Sequence, residues 1–389
     1  MSVRETLKRR NEDLQRDLEK IVELVDRACI VPELEPYRGV LRARTRQLLA
    51  ASRQNLDWLE TAQDSLLPDV LSETSTLVQY VRLLKSRYLR GLYRTMDWDR
   101  VCLQTIAWLH AEHSQTTSYP AVFADDDVSI IPSMRLPFYF FPCVEQRGLR
   151  FQPLFFHEFG HLLYKCHENE LDALVGEFQQ TVESELLPAS QRNDQYAQEQ
   201  ASVRQSIVET WYKWMQEFFC DAVGLVIGGP SFLHAFSEYI NKFQLSDYYR
   251  QPSDLRASTH PISHLRITLL VERAQATGFD VDAQRISKQW NESARLLNLT
   301  EDYHGFYTGS LKPALIQTLD DMLVEVSPRG CTKDDADGIG WDSEPRNLVA
   351  LLNQVWLKYF QHPSEFAEWE TSVLEGLYSL HATQGNSAC

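Results

Sequence analysis

Long apolar runs, paired cysteines and positive charge are all scarce in this chain, and each scarcity excludes something. The longest apolar stretches, Phe218 to Pro230 and Leu136 to Val144, are interrupted by Asp221 and three glycines and by two prolines, so neither reaches the roughly 20 residues of a membrane span. Met1 to Glu19 is dense in Arg, Lys, Asp and Glu without an apolar core, and no secretory leader is expected. The seven cysteines (Cys29, Cys102, Cys143, Cys166, Cys220, Cys331 and Cys389) are odd in number and form no Cys-x-x-Cys pair. That pattern suits the reduced thiols of a cytoplasmic protein, not a disulfide framework or a cysteine zinc site. Against 54 Asp and Glu stand only 38 Lys and Arg, a net charge of −16, so no nucleic acid and no anionic membrane is expected as a general partner. No internal repeat is visible.

Histidine is sparse as well, 11 in 389 residues, which sets one stretch apart: Phe155-Phe156-His157-Glu158-Phe159-Gly160-His161-Leu162-Leu163-Tyr164. It contains His-Glu-x-x-His, which such a composition would produce by chance about 0.02 times per chain. On a helix His157 and His161 lie roughly 40° apart, one turn above the other, so two imidazoles can converge on one ion. Glu158 falls beside that face, where its carboxylate can take a proton from a water held on a metal. The flanking residues are apolar. Ionisable groups on a buried helix require a partner.

Hydrophobic content of 43% with 24% charged residues is globular, and the length predicts one large domain with helical additions or two to three modules. Val3 to Ile30 places Leu7, Leu14, Leu18, Ile21, Leu24 and Val25 at helical spacing, and helix continues from Tyr37 to Leu92 with breaks at Pro32 to Pro36 and at Pro68. Arg82, Lys85, Arg87, Arg90 and Arg94 are interleaved with Tyr80, Tyr88 and Tyr93; in so acidic a chain this reads as a helix face, not a nucleic-acid surface. Trp98 to His113 is a further helix. Val122 to Ala124, Val128 to Ile131 and Phe138 to Phe141 are short β-prone runs punctuated by acids and prolines, predicting a small sheet whose edge can receive an extended peptide. Asn169 to Leu187 and Asn193 to Trp211 are polar helical stretches joined at Pro188, and Trp211 to Leu225 is apolar helix ending at Gly228-Gly229-Pro230. Asp247 to Ser258 reads as polar loop, His260-Pro261 as the opening of another helix with Pro261 in its first turn, and the remainder as mainly helix around a Ser327 to Pro345 loop. The expected organisation is an N-terminal helical region (1–95), a catalytic region (96–275) with a helical insertion (169–210), and a helical C-terminal region (276–389).

Two imidazoles leave a zinc ion in need of a third protein ligand. His167 stands six residues after His161, but on an uninterrupted helix it points about 120° away, and Tyr164 occupies the position where a glycine would turn the chain back. Glu217 is better placed. It lies four residues before Asp221 on one face of an otherwise apolar helix, so one carboxylate can bind metal while the other accepts the N–H of a ligand histidine.

His157-Glu158-x-x-His161 followed by Glu217-x-x-x-Asp221 resembles the gluzincins, a family of zinc peptidases. The His260-Pro261 pair followed by Arg266 is similar to the prenyl-protein endopeptidase and heat-shock membrane peptidase branch. The likeness spans about residues 120 to 275 at the level of motifs, and this chain departs from that branch in lacking membrane spans and in its long insertion. The resemblance implies a mainly α (α+β) zincin-like fold, one Zn2+ held by His157, His161 and Glu217, Glu158 as general base, Asp221 as orienter of a histidine, and His260 and Arg266 near the reacting atoms. His260, His264 or Arg266 could then donate to the developing oxyanion, and Arg266 could equally serve as partner of Asp221 or Glu217. The expected function is a zinc metalloendopeptidase acting on a peptide or protein substrate. An aminopeptidase would need an acidic cluster for the substrate amine, and Asp125-Asp126-Asp127 is too generic for that role. The alternative is a helical interaction protein that keeps a structural or inactive zinc site and meets a protein partner through its N-terminal helices. The outer helices, 1–95 or 169–210, are expected to cover the cleft.

Overall fold

A computed structural model describes residues 2–61, 64–133, 136–186, 195–299, 303–343 and 347–382, with the backbone alone for 195–200 and 378–382. The chain is mainly helical with one small sheet. Among the described residues no helix is long and apolar enough to cross a membrane, and the described cysteines form no disulfide.

The first three helices are α1 (Val3–Arg27), α2 (Glu35–Thr61) and α3 (Leu67–Leu83). The apolar stripe of α1 is buried at Leu7, Leu14, Leu18, Ile21 and Val25, whereas Leu24, expected in it, falls on the solvent side; Asn11 within the stripe donates to Thr74 Oγ1 at 2.9 Å, tying α1 to α3. A π-helical turn, Leu84–Tyr88, leads to α4 (Leu89–Gly91) and then α5 (Asp97–Glu112). The basic residues of this stretch dock it onto the molecule: Lys85 pairs with Asp17, Arg87 with Asp126, and Arg94 with Asp125.

Strands β1 (Phe123–Asp125), β2 (Ser129–Ile131) and β3 (Phe138–Phe141) lie in the order β1-β3-β2, with β1 parallel and β2 antiparallel to β3. β3 is apolar at every position because both faces of the sheet are covered. Tyr139 and Phe141 turn one way, toward Phe155 of α6 (Leu154–Cys166), with Phe141 stacked on it at 4.5 Å. Phe138 turns the other way, against Tyr37 and Tyr88 of the N-terminal helices. The sheet is thus wedged between α6 and the N-terminal bundle, with β2 as the edge strand beside α6.

After α6 come α7 (Glu168–Leu186) and α8 (Gln195–Gly228), the latter one continuous helix where the sequence suggested two segments meeting at Trp211. The junction at Pro188 lies outside the described residues. Gly229 (φ 57°, ψ −136°) takes a conformation that side chains disfavour and turns the chain directly into α9 (Pro230–Ile240). The segment read as loop contains α10 (Pro252–Ala257), and α11 (Ser263–Ala276) starts two residues after Pro261, which remains outside the helix. The remaining helices are α12 (Asp280–Leu296), α13 (Lys312–Val326), α14 (Lys333–Ala336, inside the expected loop), α15 (Leu348–Gln361) and α16 (Phe366–Ala382). One contiguous buried cluster runs from Leu14 to Leu374.

Candidate functional site

Pro153, with φ already helical at −59°, leads into α6, which ends where His167 leaves helical geometry. Every residue from Leu154 to Gly160 is buried, so the motif is an interior helix. α8 crosses it at Gly160: a Cβ built there would lie 2.8 Å from the Cα of Cys220. No larger residue permits that approach. The crossing brings the two carboxylates of α8 onto the histidine face of α6.

His157 Nε2 lies 3.5 Å from Glu217 Oε2, and His161 Nε2 lies 3.6 Å from Glu217 Oε1. Candidate ligand atoms of the three residues all fall within 4.8 Å of one another. Donors about 2 Å from a tetrahedral ion stand roughly 3.3 Å apart, so the spacing fits a metal of that size. Glu217 Oε2 is buried and accepts no hydrogen bond among the described residues, with the Arg266 guanidinium 3.1 Å away as a cationic neighbour, which leaves acceptor capacity for an ion. The three residues could therefore hold a metal ion.

Around this trio the charges are arranged by α11 and α9. Arg266 donates from Nε and Nη2 to Asp221 Oδ2 and Oδ1 at 2.8 and 2.7 Å, and Nη2 also lies 3.1 Å from Glu217 Oε2. Its guanidinium sits over the ring of Phe236, which also stacks on His157. Asp221 Oδ1 in turn lies 3.0 Å from His157 Nδ1, which directs Nε2 toward Glu217. Burial opposes the charge on Glu217 and Asp221, but Arg266 foremost, with His157, outweighs it and holds both carboxyls below their usual range. Burial likewise opposes charge on His157, yet Asp221 and Glu217 lift its pKa to about 9. Burial depresses His161 to about 4, leaving its lone pair free. A proton on His157 and a metal ion would be alternative ways of balancing the same two carboxylates. Burial, reinforced by the charges of Glu217 and Asp221, pushes the Glu158 carboxyl up to about 7 against the pull of His157 and Arg266.

A cleft of about 500 Å³ opens on this group, lined by His157, Glu158, Phe236, Tyr239, His260 and Arg266 together with Asp127 and Val128 beside β2. His260 reaches in from outside, its Nε2 3.5 Å from Glu217 Oε1 with the side chain 56% exposed. His264 belongs elsewhere, packed against the rings of Tyr248 and Trp290. His167 turns away at the end of α6, its Nδ1 3.6 Å from Glu325. The residues expected from the motifs therefore meet, with Arg266 engaged by both carboxylates. Among the described residues, none of 1–95 or 169–210 lines the cleft; part of the insertion expected to cover it, 187–194, lies outside the described residues. The outer wall of the cleft is the segment from Tyr239 to Ser263, whose sequence carries no motif ahead of His260-Pro261. Gly160 was legible only as a small residue in an apolar helix, and Tyr239 carried no signal at all.

No family model, no curated protein and no solved structure matches this chain.

Proposed function

We propose that this chain is a zinc-dependent endopeptidase of gluzincin type, acting on peptide or protein substrates in a cytoplasmic setting. The reading is carried by the meeting of His157, His161 and Glu217 from two crossing helices, with Glu158 on the wall of the same cleft. Two imidazoles and one carboxylate form the donor set of catalytic zinc sites, whereas closed structural sites use four protein ligands. His157, His161 and Glu217 would hold the ion, which when bound supplies Lewis acidity toward a carbonyl oxygen and lowers the pKa of water toward about 7.

Glu158 takes a proton from the attacking water at its carboxylate and passes it to the nitrogen of the leaving amine. His260 Nδ1 lies 2.9 Å from the Thr259 hydroxyl. With that hydroxyl donating, Nε2 carries the hydrogen and can donate to the substrate carbonyl oxygen as it gains charge. Arg266 is a positioning residue, holding Asp221 in two hydrogen bonds while Asp221 sets the orientation of His157. The unpaired edge of β2 beside α6 offers backbone groups to an extended substrate.

The test has two parts. Elemental analysis should find about one zinc per wild-type chain and little in Glu217→Ala; full occupancy in that variant with loss in His167→Ala would move the site. A screen of peptides and unfolded proteins should then find hydrolysis by wild type and none by Glu158→Gln at equal zinc content. If both are equally inactive, the reading of a helical interaction protein with an inactive site replaces this one.

A further inference from the structure

Arg250 stands on the outer wall of the cleft, between a turn at Leu245–Asp247 and α10. Three oxygens hold it in place: Nε donates to the Ser246 carbonyl at 3.4 Å, and Nη1 donates to Ser258 Oγ at 2.8 Å and to the His260 carbonyl at 3.2 Å. All three acceptors are neutral. Arg250 forms no ion pair among the described residues, although Asp247 and Asp254 are near enough to favour its charge. Asp247 is already committed, its Oδ2 accepting from the backbone N–H groups of Lys242 and Gln244. Burial is the main influence on Arg250 and lowers its pKa. In a chain with 54 acidic residues, a half-buried arginine without a carboxylate partner is conspicuous, because guanidinium groups at such sites normally carry a bidentate acid. Nη2 makes no hydrogen bond among the described residues, and the residue lines the same cleft as His157 and Glu158. The carbonyl it holds belongs to His260, whose ring reaches Glu217. Lys242, exposed on the same wall, adds a second positive charge against the exposed Asp127 across the cleft.

We propose that Arg250 is the substrate-carboxylate receptor of this cleft, so that the protein selects peptides presenting an acidic side chain or a free C-terminal carboxylate close to the scissile bond. This rests on the peptidase reading and names its substrate class. Arg250 supplies one free guanidinium edge, already fixed in orientation, and the carboxylate supplies the partner that the fold withholds.

Binding separates this inference from catalysis. In the zinc-loaded, full-length Glu158→Gln background, fluorescein-labelled alanine-based octapeptides carrying one Phe and one Glu are titrated by anisotropy. Glu is moved along the peptide, both ends are capped, and Gln replaces Glu in the neutral match; a further Gln peptide carries a free C-terminus. At least one carboxylate probe should bind about tenfold tighter than its neutral match. Preference that follows Glu identifies a side-chain receptor, and preference that follows the free end identifies a chain-end receptor. Arg250→Gln should abolish the preference while leaving the neutral peptide's affinity in place, Arg250→Lys should keep part of it, and Arg250→Glu should favour a Lys-bearing probe. The inference is overturned if the Glu158→Gln protein binds no probe, if it shows no preference, if the preference survives in Arg250→Gln, or if neutral and acidic peptides weaken equally. Acidic preference in binding without turnover by the wild type would instead remove the peptidase reading and leave the receptor standing.

Discussion

At the scale of single residues, burial sets the chemistry. Glu158 is a carboxyl inside an apolar helix, and replacing it by Gln keeps volume and polarity while removing the proton acceptor. The expected result is unchanged zinc content and thermal stability with hydrolysis reduced about 10²-fold or more, read by steady-state kinetics beside elemental analysis. His110, away from the site, offers a cleaner pH test. Its Nδ1 lies 3.0 Å from the Tyr119 carbonyl, which can only accept, so Nδ1 carries the proton and Nε2 accepts from the Tyr139 hydroxyl at 3.1 Å. Burial lowers its pKa from 6.5 to about 4. As pH falls below the unfolded value the unfolded chain takes up the proton first, so stability is lost from about pH 6.5 downward and the loss is complete below about pH 4. Between pH 7 and pH 5 the contribution is about 2 kcal/mol. Urea denaturation should show wild type losing about that much more stability over this interval than His110→Asn; equal losses in the two proteins would assign the pH dependence to other groups.

At the scale of elements, the decisive contact is the crossing of α6 and α8. Gly160 lets the Cα of Cys220 approach to within van der Waals distance, and the five residues Glu217 to Asp221 of α8 then carry both carboxylates past the two imidazoles. Gly160→Ala puts a methyl group where backbone already lies, and the helices must separate by a few tenths of an ångström or more. Overpacking of this kind costs about 1–3 kcal/mol. The expectation is a folded protein with a lowered melting temperature and a disproportionate loss of zinc affinity in competition with a chelator. The adjacent Phe159→Leu, a core change that leaves the crossing free, should lower stability with little effect on the ion. If the two variants hold zinc equally well, the crossing distance is not what assembles the ligands.

At the scale of the whole molecule, the N-terminal helices are part of the core. Tyr37 and Tyr88 cover one face of β3, the Tyr37 hydroxyl donates to the Tyr88 carbonyl at 2.6 Å, and Val122 and Phe138 close on Gly91. Removing residues 1–95 would expose that face of the sheet, so the truncated chain should be insoluble or lack a cooperative thermal transition, and faster cleavage of short peptides by a folded truncation would contradict this account. An ion joining α6 to α8 also links binding to global stability. Chelation should lower the melting temperature of wild type by a few degrees and leave Glu217→Ala unmoved, as followed by circular dichroism.

What the sequence by itself determined is local. Periodicity located α1, α2 and α5, β-prone runs punctuated by acids and prolines located the three strands, and the i, i+4 spacings put His157 with His161 and Glu217 with Asp221 on common helix faces. These follow from the geometry of one helix or one strand, which a few neighbouring residues dictate. Distance between elements is another matter. That α8 crosses α6 at Gly160, that Arg266 pairs with Asp221 while His264 packs on Trp290, and that the cleft wall is the segment from Tyr239 to Ser263 depend on packing between residues tens of positions apart. The sequence offered Arg266 as either an oxyanion donor or a partner of Asp221 or Glu217 without choosing between them, and that Arg250 has no ion pair among the described residues was invisible for the same reason. Arg250 stands on a polar stretch and Arg266 among Leu265, Ile267 and Leu270, and only the tertiary structure decides which carboxylate, if any, each one meets.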